Sequence, residues 1–274
     1  MLQSPLAARC FTKDPSDMHR TEDYTGLGAL AWDLLSGTEP SRDYPFYEHT
    51  LLARPGPALD VGCGAGRLLL ALLRAGLEVD GVEPSADMRV IIRQNAADLD
   101  PQPAVFDQAM ESLDLPRSYR TIVVPCGSFQ LVRNRESAQE TLRRFHGHLD
   151  PGGLLVVTIY NLLGLVGARP KVSGEWGLRA RQTLPDGTEI EKHARLDGLG
   201  LIEQTLDSTV RYRRWREDEV IEEQWCNGDQ RWYLVNEMRL MLERAGFREI
   251  RTTGGYTTAA PTVDDDVWCF HASR

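Results

Sequence analysis

Between residues 57 and about 160, short apolar runs alternate with stretches of helical periodicity. This pattern constrains the fold more than any other feature of the chain. The runs ALDVG (58–62), EVDGV (78–82), AVFD (104–107), TIVVP (121–125) and LLVVTIY (154–160) have strand length. The segments at about 65–75, 86–97 and 136–148 repeat apolar residues at helical spacing. Near-continuous apolar strands must be covered on both faces, and strand–helix alternation supplies that cover. The pattern therefore predicts an α/β fold with a doubly wound parallel sheet.

After residue 160 the character changes. LPDGT at 184–188 is a hairpin signal, and RLDGLG at 195–200 is a second turn-rich point. STVRYRRW (208–215) and EVIEEQW (219–225) read as antiparallel strands joined around Arg216, Glu217 and Asp218. A helix is expected over about 234–245, stopped by Gly246, with final strands at 247–253 and 266–272. Before the alternating region, residues 26–36 fit a short amphipathic helix ended at Gly37 and Pro40. The expected organisation is a doubly wound core interrupted after its fifth strand by an antiparallel β insertion.

Net charge narrows the partners. The chain has 31 basic and 40 acidic residues, a net charge of −9, whereas phosphate-backbone binding needs clustered cations. Arg211, Arg213, Arg214 and Arg216 do cluster, but five carboxylates follow within 217–223, so cross-strand ion pairs are the expected use. Nucleic acid is thus disfavoured as a partner. No apolar run approaches the ~18 residues of a membrane span, and no secretory signal is readable at the N-terminus. Five widely spaced cysteines, Cys10, Cys63, Cys126, Cys226 and Cys269, suggest neither a disulfide framework nor a metal site. His146 and His148, two apart, point in different directions on a helix. A cytoplasmic protein is expected.

The most informative segment is Asp60-Val61-Gly62-Cys63-Gly64-Ala65-Gly66-Arg67. It sets glycines between an apolar strand and a helix, where the backbone can approach a ligand closely. A dinucleotide fingerprint would place its third glycine at 67, but that position is Arg, and the glycine falls at 66. Glu83 stands at the end of the second strand, 21 residues beyond Gly62, where a carboxylate can accept two hydrogen bonds from a ribose diol.

This pair of segments, D-V-G-C-G-A-G-R and G-V-E-P-S-A-D-M, resembles the class I S-adenosylmethionine-dependent methyltransferases, particularly the branch that modifies small molecules. The resemblance covers 57–160 well and the C-terminal strands less strongly. It implies a Rossmann-like sheet of seven strands whose last strand runs antiparallel, with S-adenosylmethionine across the strand ends and S-adenosylhomocysteine as product. It divides the chain into an N-terminal helical cap (1–56), the cofactor-binding core (57–160 and 234–274) and an antiparallel insertion or lid (161–233). Carried over by position, Gly62, Cys63 and Gly64 would approach the methionyl and ribose parts, and Asp60 would help hold the amino group. Glu83 would take the ribose hydroxyls, with Pro84 and Met88 beside the adenine. Tyr24 fits a cap tyrosine that closes over the cofactor and touches its carboxylate.

Two places depart from the family. Many relatives have Gly-Asp at the third strand end, the Asp receiving the adenine amine. Here Ala109 aligns with that Asp, with Gln108 before it and Met110 after it. The Gln108 carbonyl could accept the amine while the Ala109 and Met110 amides donate to the ring, and a one-residue slip would nominate Asp107 instead. At the fourth strand end, Pro125-Cys126-Gly127-Ser128-Phe129-Gln130 stands where relatives face the transferred methyl, and it lacks the N-P-P-Y type of sequence used on nucleic-acid amines. Cys126 reads as a small wall residue rather than a nucleophile, with no activating positive group evident in the sequence. Ser128 and Gln130 could orient a substrate.

Displacement at a sulfonium carbon chiefly needs alignment and exclusion of water, so no catalytic triad is expected and none is visible. A base is needed only for a nucleophile that arrives protonated, and His193 and Glu237 are candidates. Tyr160, Trp232, Tyr233 and Tyr256 lie at element ends where family substrate pockets form. The expected partner is a small-molecule methyl acceptor, for a monomer or homodimer. The alternatives are a protein or RNA methyltransferase, a non-catalytic S-adenosylmethionine-binding protein and, less well supported, a nicotinamide-dependent dehydrogenase.

Overall fold

A computed structural model describes residues 21–22, 24–36, 41–168, 172 and 174–274. Cys10, Gly37, Pro40 and the expectation of no N-terminal signal lie outside them. The described chain opens with strand β1 (Thr21–Glu22) and helices α1 (Gly26–Ser36) and α2 (Tyr44–Leu52). Strand–helix alternation follows: β2 (Ala58–Val61), α3 (Arg67–Arg74), β3 (Val79–Val82), α4 (Ala86–Asn95), β4 (Val105–Phe106), β5 (Tyr119–Val124), α5 (Arg135–His148) and β6 (Leu149–Tyr160). After a short α6 (Leu163–Ala168) come β7 (Gly177–Thr183), β8 (Glu189–Gly200), β9 (Thr205–Arg216), β10 (Glu219–Asn227) and β11 (Gln230–Arg231). Helix α7 (Val235–Arg244) and strands β12 (Arg248–Gly254) and β13 (Val267–Ser273) complete the chain.

Seven strands form one sheet in the order β12-β13-β6-β5-β2-β3-β4. Strands β2 to β6 pair in parallel, whereas β13 is antiparallel to both β6 and β12. This is the expected doubly wound sheet with an antiparallel last strand. The reason lies in the side chains: β2 is buried along its whole length, and so is the run Leu154–Ile159 of β6. Such strands hold only between two helical layers. One apolar cluster joins the sheet to Phe145 of α5 and Leu242 of α7. A second joins it to Tyr47 of α2 and Leu69 and Leu72 of α3. The helices begin where the chain provides caps: Ser85 Oγ accepts from Met88 N–H at 3.2 Å, and Asn134 Oδ1 from Ser137 N–H at 2.8 Å.

The antiparallel insertion is a separate sheet, β1-β10-β9-β8-β7, with β11 added beside β9. The hairpin at 184–188 joins β7 to β8 as expected. The segment RLDGLG does not turn, however. Strand β8 runs through it, absorbing the glycines in a register shift between Leu196 and Gly198, and the turn falls after Gly200. The long β9 partner offers hydrogen bonds along this stretch and overrides the local turn preference. Helices α2 and α6 were not expected from the sequence. Arg213 forms the anticipated cross-strand pair with Glu223, whereas Arg214 pairs with Asp186 in the β7–β8 turn at 2.8 Å. Arg211 differs: it lies against two tryptophan rings, 4.5 Å from Trp176 and 5.5 Å from Trp225.

Helix α1 links the two sheets. One face packs Leu27 and Ala31 against Ile190, Val210 and Tyr212 of the second sheet. The other packs Ala29 and Trp32 against Ala65 and Met88, beside the glycine turn. Hydrogen bonds hold both sides: Gly26 N–H donates to Asp87 at 2.7 Å, and Gly28 N–H to Gln224 at 3.2 Å. The four described cysteines are free. Among the described residues, no helix is long and apolar enough to cross a membrane.

Candidate functional site

The chain between β2 and α3 makes a turn in which Gly62, Gly64 and Gly66 all adopt positive φ (71°, 57° and 88°). An L side chain is strained in this conformation, which is why three glycines occur in five residues. Space is also short: a Cβ on Gly62 would stand 3.1 Å from Ser128, and one on Gly64 would stand 3.4 Å from the Trp32 ring nitrogen. The turn thus borders a cavity of about 520 Å³, walled by the strand ends, by α1 and by the second sheet.

Asp60 is fully buried in this wall, and neither carboxylate oxygen has a hydrogen-bond partner among the described residues. Burial pushes its pKa up to about 7, against the pull of Arg67. A buried carboxylate with both oxygens orphaned is costly on its own. Facing a cavity, it suits a ligand that brings hydrogen-bond donors and positive charge. Glu83, 6% exposed, also lines the cavity. Its Oε2 accepts from Gly64 N–H at 2.9 Å and its Oε1 from Ser85 N–H at 2.8 Å. Burial raises its pKa, with the two backbone donors opposing. Each oxygen keeps a lone pair, so Glu83 can pin the turn and still accept from a ligand.

Most of the sequence-predicted residues meet here. Tyr24, Asp60, Gly62, Cys63, Gly64 and Glu83 line the cavity, as do Pro84, Met110, Pro125 and Cys126. Three do not. Met88 is wholly buried beneath α1, because the Ser85 cap turns the first face of α4 inward. The Gln108 side chain closes a local loop, donating to Asp114 C=O at 2.8 Å and accepting from Asp114 N–H at 2.7 Å. Ala109 precedes the short turn at Met110–Ser112 and does not reach the cavity wall. The alternative Asp107 is mostly exposed and pairs with Arg89 at 2.8 Å. Of the adenine residues read from the sequence, the structure brings Pro84 and Met110 to the cavity.

Also on the cavity wall, Cys126 takes a positive φ of 53° after β5. The Arg67 guanidinium reaches its sulfur at 3.1 Å. Burial nevertheless raises the Cys126 thiol, with Arg67 opposing, so it stays protonated at neutral pH. Burial likewise raises the Tyr160 phenol beside it. Ser128 lines the cavity and donates to Pro125 C=O at 2.8 Å. Gln130 is fully buried and serves the fold instead: its carbonyl accepts from Tyr160 N–H at 2.8 Å. Trp232 and Tyr233 are also buried, and Tyr256 packs on Phe46.

Neither candidate base reaches the cavity. His193 lies 3.1 Å from Glu191, and Glu237 pairs with Arg231 at 3.0 Å and caps α7. In contrast, Trp32 and Lys192, together with Leu206, Ser208 and Val210, form much of the wall and were not singled out from the sequence. On β8 and β9 they recur at every second residue, so the period-two alternation of an antiparallel strand carried the signal.

Residues 58–153 match the methyltransferase domain family. YqeM of Bacillus subtilis (strain 168), named as a methyltransferase, is 21% identical over 92% of this chain and 97% of its own length. Matches to two further curated relatives span only 42% and 58% of those proteins. The CcbJ methyltransferase of Streptomyces caelestis shares the fold with a TM-score of 0.73 at 20% identity, over 92% of this chain and 97% of that one. So does CalS10 of Micromonospora echinaspora, an amino pentose methyltransferase solved with S-adenosylmethionine bound, with a TM-score of 0.64 at 18% identity over 93% of this chain and 100% of that one. Residues 58–153 thus carry a methyltransferase domain, and the chain as a whole has the fold of S-adenosylmethionine-dependent methyltransferases, with a glycine turn beside two buried carboxylates.

Proposed function

We propose that this enzyme transfers a methyl group to an N, O or C atom of a small molecule, with an amine nitrogen favoured. The observation that carries this reading is the size of the cavity and its partial cover by the second sheet. The second sheet covers part of it with Leu206, Ser208 and Val210, and Cys126 and Tyr160 line the same cavity. Its volume of about 520 Å³ lies within the roughly 300–1,000 Å³ of small-molecule sites. A protein or RNA acceptor would call for a more open cleft.

S-adenosylmethionine, when bound, supplies a methyl group on positively charged sulfur, already activated for displacement. The chain's own residues then bind and align. In this reading Asp60 receives the ammonium of the cofactor, Glu83 accepts from its ribose hydroxyls, and Pro84 and Met110 flank its adenine. Tyr24, on the α1 side, closes the methionyl end. Cys126 and Ser128 shape the wall where the acceptor atom approaches. The carboxylates near Cys126 and Tyr160 are Asp43, which Arg67 holds at 2.8 Å, and Asp60, which this reading gives to the cofactor ammonium, so neither is left to serve as a base. An amine can enter neutral and shed its proton after transfer, whereas an alcohol would need a base during it. The similarity to CalS10, an amino pentose methyltransferase, supports the same preference.

The reading assigns residues 1–56 as a cap, 57–160 with 234–274 as the cofactor-binding core, and 161–233 as the lid that selects the acceptor. The free cysteines support a cytoplasmic setting. The test is a panel of small amines, aminosugars, phenols and carboxylic acids, beside a protein extract and total RNA, scored by adenosylhomocysteine release and product mass. Methylation of an amine in the panel is the expected result. Transfer only to protein or RNA would overturn the small-molecule reading.

A further inference from the structure

The wall of the cavity carries three cations, and two are committed elsewhere. Arg67 is held by Asp43 at 2.8 Å, and Arg74 by Asp98 at 2.7 Å. Among the described residues, Lys192 has no carboxylate partner; it comes from β8 in the second sheet. Its ammonium lies 5.4 Å from the Trp32 ring and 5.5 Å from the Tyr212 ring, so two aromatic faces hold it in place. The Trp32 ring nitrogen in turn lies against Gly64. The ammonium is therefore one indole ring away from the glycine turn.

The cavity wall also carries acids. Asp60 and Glu83 sit at the ends of β2 and β3, and Asp33 on α1 is bonded to Asn95 at 2.9 Å. S-adenosylmethionine carries two positive groups and a single anion, its α-carboxylate. The orphaned Asp60 matches the ammonium, and Lys192, without a carboxylate partner among the described residues, matches the carboxylate. We propose that Lys192 binds the α-carboxylate of the cofactor, so that the lid sheet contributes to the cofactor site as well as to the acceptor site. This rests on the reading of Asp60 above.

The test is calorimetric titration of the full chain with S-adenosylhomocysteine and with 5′-methylthioadenosine, which lacks the amino-acid end. Lys192→Met keeps the stem that packs on Trp32 and Tyr212 and removes the charge. The expected result is a loss of about 10- to 100-fold in affinity for adenosylhomocysteine, the scale of a hydrogen bond to a charged group. Methylthioadenosine affinity should not change, and Lys192→Arg should restore most of the loss. Unchanged adenosylhomocysteine binding in Lys192→Met, or an equal loss for both ligands, would overturn the proposal. Failure of the wild-type chain to prefer adenosylhomocysteine over methylthioadenosine would instead strike the underlying reading of Asp60. A thermal melt without ligand checks that the variant is folded.

Discussion

Arg67 grips Asp43 through two parallel hydrogen bonds, Nη1 to Oδ1 at 2.8 Å and Nη2 to Oδ2 at 2.9 Å. Arg67 is the residue that stands where a dinucleotide-binding turn would have its third glycine. It ties the first turn of α3 to the segment entering α2, and its guanidinium also reaches Cys126. Asp43 is 4% exposed, so the pair is nearly dry.

Removing one partner of such a pair leaves a buried charge uncompensated. Arg67→Met is therefore expected to lower stability by about 3 kcal/mol. The double variant Asp43→Asn with Arg67→Met should recover a good part of that, since neither charge is left stranded. Urea unfolding of the two single variants and the double completes the cycle. Additive losses would show that the pair is not coupled.

Asp60 gives the ligand-free enzyme a distinctive pH dependence. Its pKa rises from 3.8 to about 7 because burial disfavours the charged form. Between about pH 4 and 7 the native state keeps a proton that the unfolded chain has lost. Stability should therefore fall as pH rises through this window, by at most about 4 kcal/mol, and level off above it. Asp60→Asn should flatten the decline and be more stable than wild type at pH 8. The same variant should bind adenosylhomocysteine more weakly, because an amide offers no charge to its ammonium. Unfolding curves at four or five pH values check the first statement, and calorimetry the second. A wild-type stability flat from pH 4 to 7 would contradict the first.

Glu83 has two duties that substitution can separate. Glu83→Ala removes the acceptor for Gly64 N–H and the group assigned to the ribose, and should weaken adenosylhomocysteine binding by about 1.5–3 kcal/mol. Glu83→Gln retains one carbonyl acceptor at the same reach and should lose less. Equal losses in the two variants would mean that charge alone matters. No loss in either would remove Glu83 from the site.

The sheet was legible because its strands are buried on both faces, so the apolar runs at 58–62, 78–82, 121–125 and 154–160 stand out without any tertiary knowledge. The glycine turn was legible for a related reason: positive φ at Gly62, Gly64 and Gly66 restricts the residue type. Helix α2 was hidden because Tyr44-Pro45-Phe46-Tyr47 has poor helix propensity and gains its stability from packing Tyr47 and Leu51 under the sheet. The placement of Gln108 depended on a loop that folds back to Asp114, a contact six residues away that no periodicity announces. Lys192 escaped notice for a different reason. Which of two alternating faces of β8 meets the cavity is decided by where α1 packs, and α1 lies more than 150 residues earlier in the chain.

Gly62 and Gly76 offer a matched comparison of backbone strain with steric crowding. Both have positive φ, 71° and 80°. A Cβ on Gly76 would meet nothing within 4 Å, whereas one on Gly62 would press on Ser128 at 3.1 Å. Gly76→Ala should thus cost only the left-handed penalty, about 1–2 kcal/mol. Gly62→Ala should cost that and about 1 kcal/mol more, because Ser128 is itself bonded to Pro125 C=O and gives way poorly. The two variants should also part in binding. Only Gly62→Ala narrows the cavity, so only it should weaken adenosylhomocysteine, while Gly76→Ala binds as wild type does. Urea unfolding and titration calorimetry on the pair decide the matter. Equal destabilisation with equal affinity would mean that the glycine at 62 is required by its backbone angle alone, and not by the closeness of Ser128.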